Sequence, residues 1–166
     1  SGSSGSPAPA TLKYALCSDT GACTTVVPVE TNLSSRLDGD TISLDFLSQE
    51  LAQAIRMPAA NGAVMIAYPG PQGQVRMAVN ASGWTVVTIA QSSSRRISAT
   101  SKSISYVAGG TLTVIIAPNW QSDVGGISGY FAPSALDGNG NIHLAGVGSF
   151  CEDASGLGSA LKAPTC

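Results

Sequence analysis

A single histidine, His143, limits the catalytic chemistry that this chain could perform. A Ser-His-Asp or Cys-His site needs a histidine as its base, so any such site would have to be built around this residue. No Gly-x-Ser-x-Gly turn accompanies it, and in Asn-Ile-His-Leu-Ala it occupies an alternating position typical of a strand. We therefore interpret His143 as a half-exposed structural residue and expect no enzyme. A small secreted hydrolase that uses His143 or a carboxylate pair is an alternative.

The most specific chemical pattern is Asp137-Gly-Asn139-Gly-Asn141, in which oxygen ligands recur at alternate positions. The first half of a calcium loop has this spacing. Gly148, however, stands at the twelfth position, where such a loop carries a bidentate glutamate. A glycine-rich hairpin turn explains the same residues without metal and is the preferred interpretation. Asp137, Asn139 and Asn141 are kept as a calcium candidate, and no other cofactor is expected.

Four cysteines fall as two close pairs, Cys17 with Cys23 and Cys151 with Cys166. Local pairing is the simplest of the three connectivities, and disulfides indicate an oxidising compartment. Zinc is the rival, but the intervals of five and fourteen residues exceed the two to four that usually separate zinc ligands. A Cys-x-x-Cys redox motif is missing. We therefore expect an extracellular or cell-surface protein in which the second pair closes a C-terminal loop.

Three aromatic residues and one lysine are the candidates for contact with a partner. Trp120 and the Tyr130-Phe131 pair lie in or beside a glycine-rich segment, where exposed rings would suit a glycan or a protein. Lys162 lies within the C-terminal cysteine loop. The sequence therefore assigns binding to the second half of the chain.

The composition favours an exported protein over a nucleic-acid-binding or membrane-spanning one. Charged residues make up 11% of the chain, against roughly 25% in an average protein. The net charge of −2 leaves no basic face for nucleic acid. No run of 18 apolar residues is present, so neither a membrane span nor an intact signal peptide is expected. Residues 1–6 resemble a flexible artificial linker, and residues 7–166 are expected to form a single exported domain.

One helix is expected among the elements that would position these residues. Leu44, Leu47 and Leu51 recur at spacings of three and four, which predicts an amphipathic helix over residues 44–56. Ser43 can cap its start, and Pro58 ends it. This helix is expected to lie on a sheet.

Short apolar or alternating runs, separated by turns rich in Gly, Pro and Asn, predict antiparallel strands. The predicted strands are residues 11–16, 24–29, 63–68, 74–79, 84–90, 103–108, 111–117 and 141–147. Residues 91–103 are interpreted as a polar loop, and residues 118–129 as irregular chain. The expected fold class is therefore α+β: an antiparallel β-meander sheet packed with one main amphipathic helix, followed by a disulfide-closed C-terminal loop.

This layout resembles the soluble head of a type IV pilin or minor pilin. The resemblance rests on the helix at 44–55, the sheet at 63–117 and the loop from Cys151 to Cys166. In that family a long N-terminal helix precedes the head, whereas the pattern of residues 11–29 in this chain predicts strand. The resemblance implies a structural or adhesive subunit of an extracellular appendage, which assembles with other subunits and contacts a host-surface protein or glycan. The alternative is a glycan- or calcium-binding module of a secreted or phage surface protein.

Overall fold

A computed structural model describes residues 9–33, 42–57, 61–91, 97–108, 111–117, 120–124, 127–139 and 142–150. These residues contain twelve β-strands, one α-helix and one short 3-10 turn. The strands form two four-stranded and two two-stranded sheets, in which the strands pair antiparallel. The expected α+β class with a main helix is therefore wrong. Within the described residues the fold is predominantly antiparallel β-sheet.

The central sheet is a four-stranded meander. Its strands are β3 (Ser43–Phe46), β4 (Val64–Pro69), β5 (Val75–Asn80) and β6 (Trp84–Ala90), in the order β3-β4-β5-β6. The 3-10 turn Pro71–Gly73 joins β4 to β5, and the exposed turn 81–83 joins β5 to β6. Strands that are consecutive in the chain are therefore neighbours in the sheet, and β3 and β6 form its two edges.

An N-terminal hairpin covers one face of the central sheet. It consists of β1 (Ala10–Tyr14) and β2 (Val27–Leu33), which form a two-stranded sheet. The contact is apolar: Leu12 and Leu33 pack with Ile66, Tyr68 and Ala78. The hairpin thus buries the middle of this face.

A second four-stranded sheet covers the opposite face. Its strands are β7 (Ile97–Thr100), β8 (Ser103–Ala108), β9 (Thr111–Ile116) and β10 (Trp120–Val124), in the order β10-β9-β8-β7. Met65 and Met77 of the central sheet share a core with Ile97 and Ile104 of the second sheet. Because β4 and β5 are buried on both faces, most of their residues are apolar, and they do not alternate regularly with polar ones.

The expected polar loop at 91–103 is wrong where β7 lies. Ile97, Ser98, Ala99 and Thr100 are all buried. The Thr100 hydroxyl lies 2.7 Å from the Ser103 hydroxyl, so the polar atoms of this buried corner satisfy each other.

The expected helix at 44–56 is also wrong in extent. The observed helix, α1 (Gln49–Ala54), has six residues, and the Ser48 hydroxyl caps it by accepting from the Leu51 N–H at 3.1 Å. The residues before it form β3, which pairs with β4. Residues 42–46 alternate apolar and polar side chains with a period of two, which suits a strand as well as the leucine spacing suits a helix. Pairing with β4 decides between the two.

The last described element is a two-stranded sheet of β11 (Ile127–Leu136) and β12 (Ile142–Phe150). The irregular chain expected at 118–129 is therefore wrong at the described positions, where β10 and the start of β11 lie. The strand expected at 141–147 falls largely within β12. The expected C-terminal disulfide loop, with Cys151 and Cys166, lies outside the described residues.

Candidate functional site

Three large apolar side chains lie uncovered at one edge of the central sheet. Ile42, Leu44 and Phe46 are 62%, 56% and 57% exposed, and we call them the open strip. Leu44 lies directly opposite Ile66 on β4, so the strip lies on the same face as the residues under the hairpin. Large apolar groups that stay in water are typical of a contact surface. The hairpin covers the middle of this face and leaves the edge uncovered.

The backbone beside the open strip is partly closed. The Leu47 N–H donates to the Ala63 carbonyl at 2.8 Å. Since alternate residues of a strand face opposite neighbours, the N–H groups of Leu44 and Phe46 point away from β4. The Phe46 N–H donates to the Asp45 carboxylate at 2.7 Å. At this edge the apolar side chains are available for contact. The outward N–H of Phe46 is already bonded to a carboxylate.

Ser43 fixes the other side of β3. Its hydroxyl accepts from the Ala99 N–H at 2.9 Å and donates to the Ala99 carbonyl at 3.1 Å. One side chain thus satisfies both backbone groups of a residue in β7, which is an edge strand of the second sheet. The strand that carries the open strip is held in place by a side-chain contact as well as by its ladder with β4.

The tip of the N-terminal hairpin carries the expected local disulfide, which joins Cys17 to Cys23. The loop between them is held by hydrogen bonds from the Ser18 N–H to the Ala22 carbonyl and from the Gly21 N–H to the Ser18 carbonyl, at 2.8 and 3.0 Å. Gly21 has a φ of 85°, a conformation that favours glycine. Leu16, Val26 and Val27 beside the disulfide are exposed. The tip is therefore a second apolar surface, on a cross-linked loop.

A charged cluster lies between the hairpin and the central sheet. The Arg76 guanidinium lies 2.6 Å from the Glu30 carboxylate, and the Tyr68 hydroxyl donates to the other oxygen of that carboxylate. The side chains of Arg76 and Glu30 are only 21% and 15% exposed. Burial, the hydrogen bond to Glu30 and the charge of Glu30 raise the pKa of Tyr68 well above its usual value, and Arg76 offsets part of this rise. The cluster ties β2 to β4 and β5 and exposes little surface for chemistry.

Gly70 makes room for this cluster. A Cβ at this position would overlap Cγ and Cδ of Arg76, so the arginine stem lies directly over the glycine backbone. Arg76 Nε is buried and has no hydrogen-bond partner among the described residues. No sequence motif indicates this cluster, and its one local sign is Arg76, a charged residue within an otherwise neutral strand.

Two residues of the calcium candidate, Asp137 and Asn139, lie just after β11. The Asn139 N–H donates to one oxygen of the Asp137 carboxylate at 2.8 Å, and His143 Nε2 lies 3.1 Å from the other oxygen. Both Asp137 oxygens thus have protein partners, which is a turn closed by its own side chains. Asn141 lies outside the described residues. Within the described part of the chain, no three His, Cys, Asp or Glu side chains lie close enough together to hold a metal ion.

The aromatic candidates lie on strands rather than on irregular chain. Trp120 is the first residue of β10. Tyr130 and Phe131 lie in β11, opposite Val147 and Gly146 of β12. Lys162 lies outside the described residues. The backbone therefore places Trp120 in the second four-stranded sheet and Tyr130 and Phe131 in the two-stranded sheet of β11 and β12.

The described residues contain one six-residue α-helix, and no helix among them has the length and hydropathy that a membrane span requires. No family model matches the chain, and no curated protein or solved structure is significantly similar to it. Its function is therefore inferred from its own surfaces.

Proposed function

We propose that this chain is a structural or adhesive subunit of an extracellular appendage, which acts by self-assembly and surface binding. The observation that carries the proposal is the open strip of Ile42, Leu44 and Phe46. Three neighbouring apolar side chains that stay more than half exposed incur a hydration cost that contact with another copy of the chain removes. The open strip is accordingly assigned to an interface between subunits.

The chemistry of the strip suits such an interface. Interface cores are depleted in charge and enriched in aromatic residues, and Phe46 supplies an aromatic anchor at the end of the strip, next to the aliphatic Leu44. Full burial of one large apolar side chain contributes about 1.5 to 3 kcal/mol, so the half-exposed strip contributes roughly 3 kcal/mol in all. A contact of this size is weak in a single pair and becomes effective when subunits make several contacts each.

The disulfide supports the location. Disulfides form and persist in oxidising compartments, and the bond between Cys17 and Cys23 lies at an exposed hairpin tip. An extracellular or cell-surface position follows from this proposal. The proposal does not depend on the pilin-like layout, since β3 and the short α1 lie where that layout had an amphipathic helix over residues 44–55.

Replacement of the strip by polar residues tests the proposal. The double variant Leu44→Ser/Phe46→Ser should associate at least tenfold more weakly than the wild type, because it removes most of the apolar contact. Light scattering and sedimentation velocity over a concentration series measure the association. The matched control is Leu16→Ser/Val26→Ser, which removes equally exposed apolar side chains from the hairpin tip and should associate like the wild type. A wild type that stays monomeric throughout the series, or a strip variant that associates unchanged, would contradict the proposal.

A further inference from the structure

The second edge of the central sheet differs from the first. β6 pairs with β5 on one side, and no described strand pairs with its other side. Its sequence, WTVVTIA, has no charged residue, and the side chains of Thr85 and Thr88 are exposed. We infer that this edge is an interaction surface, at which β6 pairs antiparallel with β6 of a second copy of this chain.

The ladder shows which backbone groups of β6 are available. Leu47 bonds to Ala63, so the odd-numbered residues of β4 face β3 and the even-numbered ones face β5. The register then turns Met77 and Val79 of β5 toward Val87 and Thr85 of β6. Three residues of β6 alternate with these two positions: Trp84, Val86 and Thr88. Their N–H and C=O groups therefore point away from β5.

Two other edge strands, β3 and β7, carry side-chain caps that β6 does not. On β3, the Asp45 carboxylate takes the outward N–H of Phe46, and on β7 the Ser43 hydroxyl bonds both backbone groups of Ala99. No side chain of the described residues bonds to the outer backbone of Trp84, Val86 or Thr88. A row of alternating donors and acceptors is complementary to an extended strand.

The register limits the paired segment to five residues. Arg76 lies opposite Thr88 and Val75 lies opposite Ala90, so Ile89 is an extra residue that bends the strand. Regular pairing is therefore available from Trp84 to Thr88.

A second copy fits this segment. A two-fold axis at Val86 sets Val86 against its own copy and Trp84 against Thr88, and both are neutral pairs of residues that favour strands. The net charge of −2 makes repulsion between two copies small. Since β3 and β6 are opposite edges of the sheet, this contact is separate from the open strip and does not rest on the proposed function.

Substitution of Thr88 tests the inference. Thr88→Pro removes an outward N–H from an exposed residue without removing a hydrogen bond to β5. Thr88→Lys keeps the N–H and places a charge at the edge, and it decides the question if the proline variant does not fold. Ser82→Lys is the control, because it adds the same charge in the exposed turn before β6.

Sedimentation velocity and amide hydrogen exchange should show a wild-type dimer whose Val86 amide exchanges more slowly as the concentration rises. Both Thr88 variants should dimerise at least tenfold more weakly, and Ser82→Lys should dimerise like the wild type. The inference is overturned if folded Thr88 variants dimerise unchanged, or if the Val86 exchange rate is independent of concentration. Loss of association only in Leu44→Ser/Phe46→Ser would overturn the β6 contact and support the proposed function. Loss of association only in the Thr88 variants would support the β6 contact and contradict the proposed function.

Discussion

On one face of the central sheet, burial does not follow residue type: charged side chains are buried in one part and apolar side chains are exposed in another. Where the hairpin packs on the sheet, the charged side chains of Glu30 on the hairpin and Arg76 on β5 are largely buried. On the uncovered edge strand, the apolar Leu44 is 56% exposed, although Ile66, directly opposite it on the next strand, is only 2% exposed. The position of the covering hairpin, rather than the hydrophobicity of each side chain, decides which residues leave water.

This difference separates structural from functional roles. The covered part holds its charges by mutual contacts, since an unpaired buried charge would destabilise the fold. The open strip contributes little to the core, so it is free to contact another molecule. A residue on this face is therefore expected to affect stability when covered and association when uncovered.

The largest effect on stability should come from truncation of Ile66, which is covered by the hairpin and lies opposite the uncovered Leu44. Ile66→Ala should lower the free energy of unfolding by about 3 kcal/mol, because it leaves a cavity under the hairpin. Leu44→Ala, the matched change on the uncovered strand, should lower it by less than about 1 kcal/mol. Urea denaturation monitored by circular dichroism measures both values. Similar losses in the two variants would mean that the strip is covered in solution.

A smaller loss is expected from the charged cluster. Arg76→Met should lower the free energy of unfolding by about 2 kcal/mol, since the partly buried Glu30 carboxylate loses its partner. The double variant Glu30→Gln/Arg76→Met should recover part of this loss, because it removes the unpaired charge. Lys13→Met, on the exposed side of β1, is the control for removal of a positive charge and should have little effect. An Arg76 variant as stable as the wild type would show that the cluster does not anchor the hairpin.

The smallest effect is confined to alkaline pH. Because the pKa of Tyr68 is higher in the folded than in the unfolded state, its contribution to stability is fully present below about pH 10, the usual tyrosine value. Above that pH the unfolded state loses the Tyr68 proton first, and stability should fall by up to about 1.4 kcal/mol per pH unit. Urea denaturation between pH 9 and pH 11, roughly one unit on either side of that value, should show a shallower decline for Tyr68→Phe. Tyr14→Phe, which leaves Tyr68 in place, is the control. If stability falls with pH equally steeply in Tyr68→Phe and in the wild type, Tyr68 is not covered.

Local patterns predicted much of the fold. Strands near 63–68, 74–79, 84–90, 103–108 and 111–117 are present with shifts of about one residue, because glycine- and proline-rich turns mark their ends. The disulfide between Cys17 and Cys23 also follows from local spacing. The local pattern predicted the wrong element at 42–46, where a helical period and a strand period fit the same residues. It also missed the strand Ile97–Thr100, because this buried strand carries polar side chains.

The sequence by itself determined that this chain forms turns, short strands and a local disulfide, because these depend on residues close together in the chain. Only the tertiary structure decided that residues 43–46 join the sheet, since β4 supplies their hydrogen-bond partners. It also brought Glu30, Tyr68 and Arg76 together from three strands and left Ile42, Leu44 and Phe46 uncovered. These outcomes depend on which surfaces the hairpin covers, and that is a property of the packed chain rather than of any local pattern.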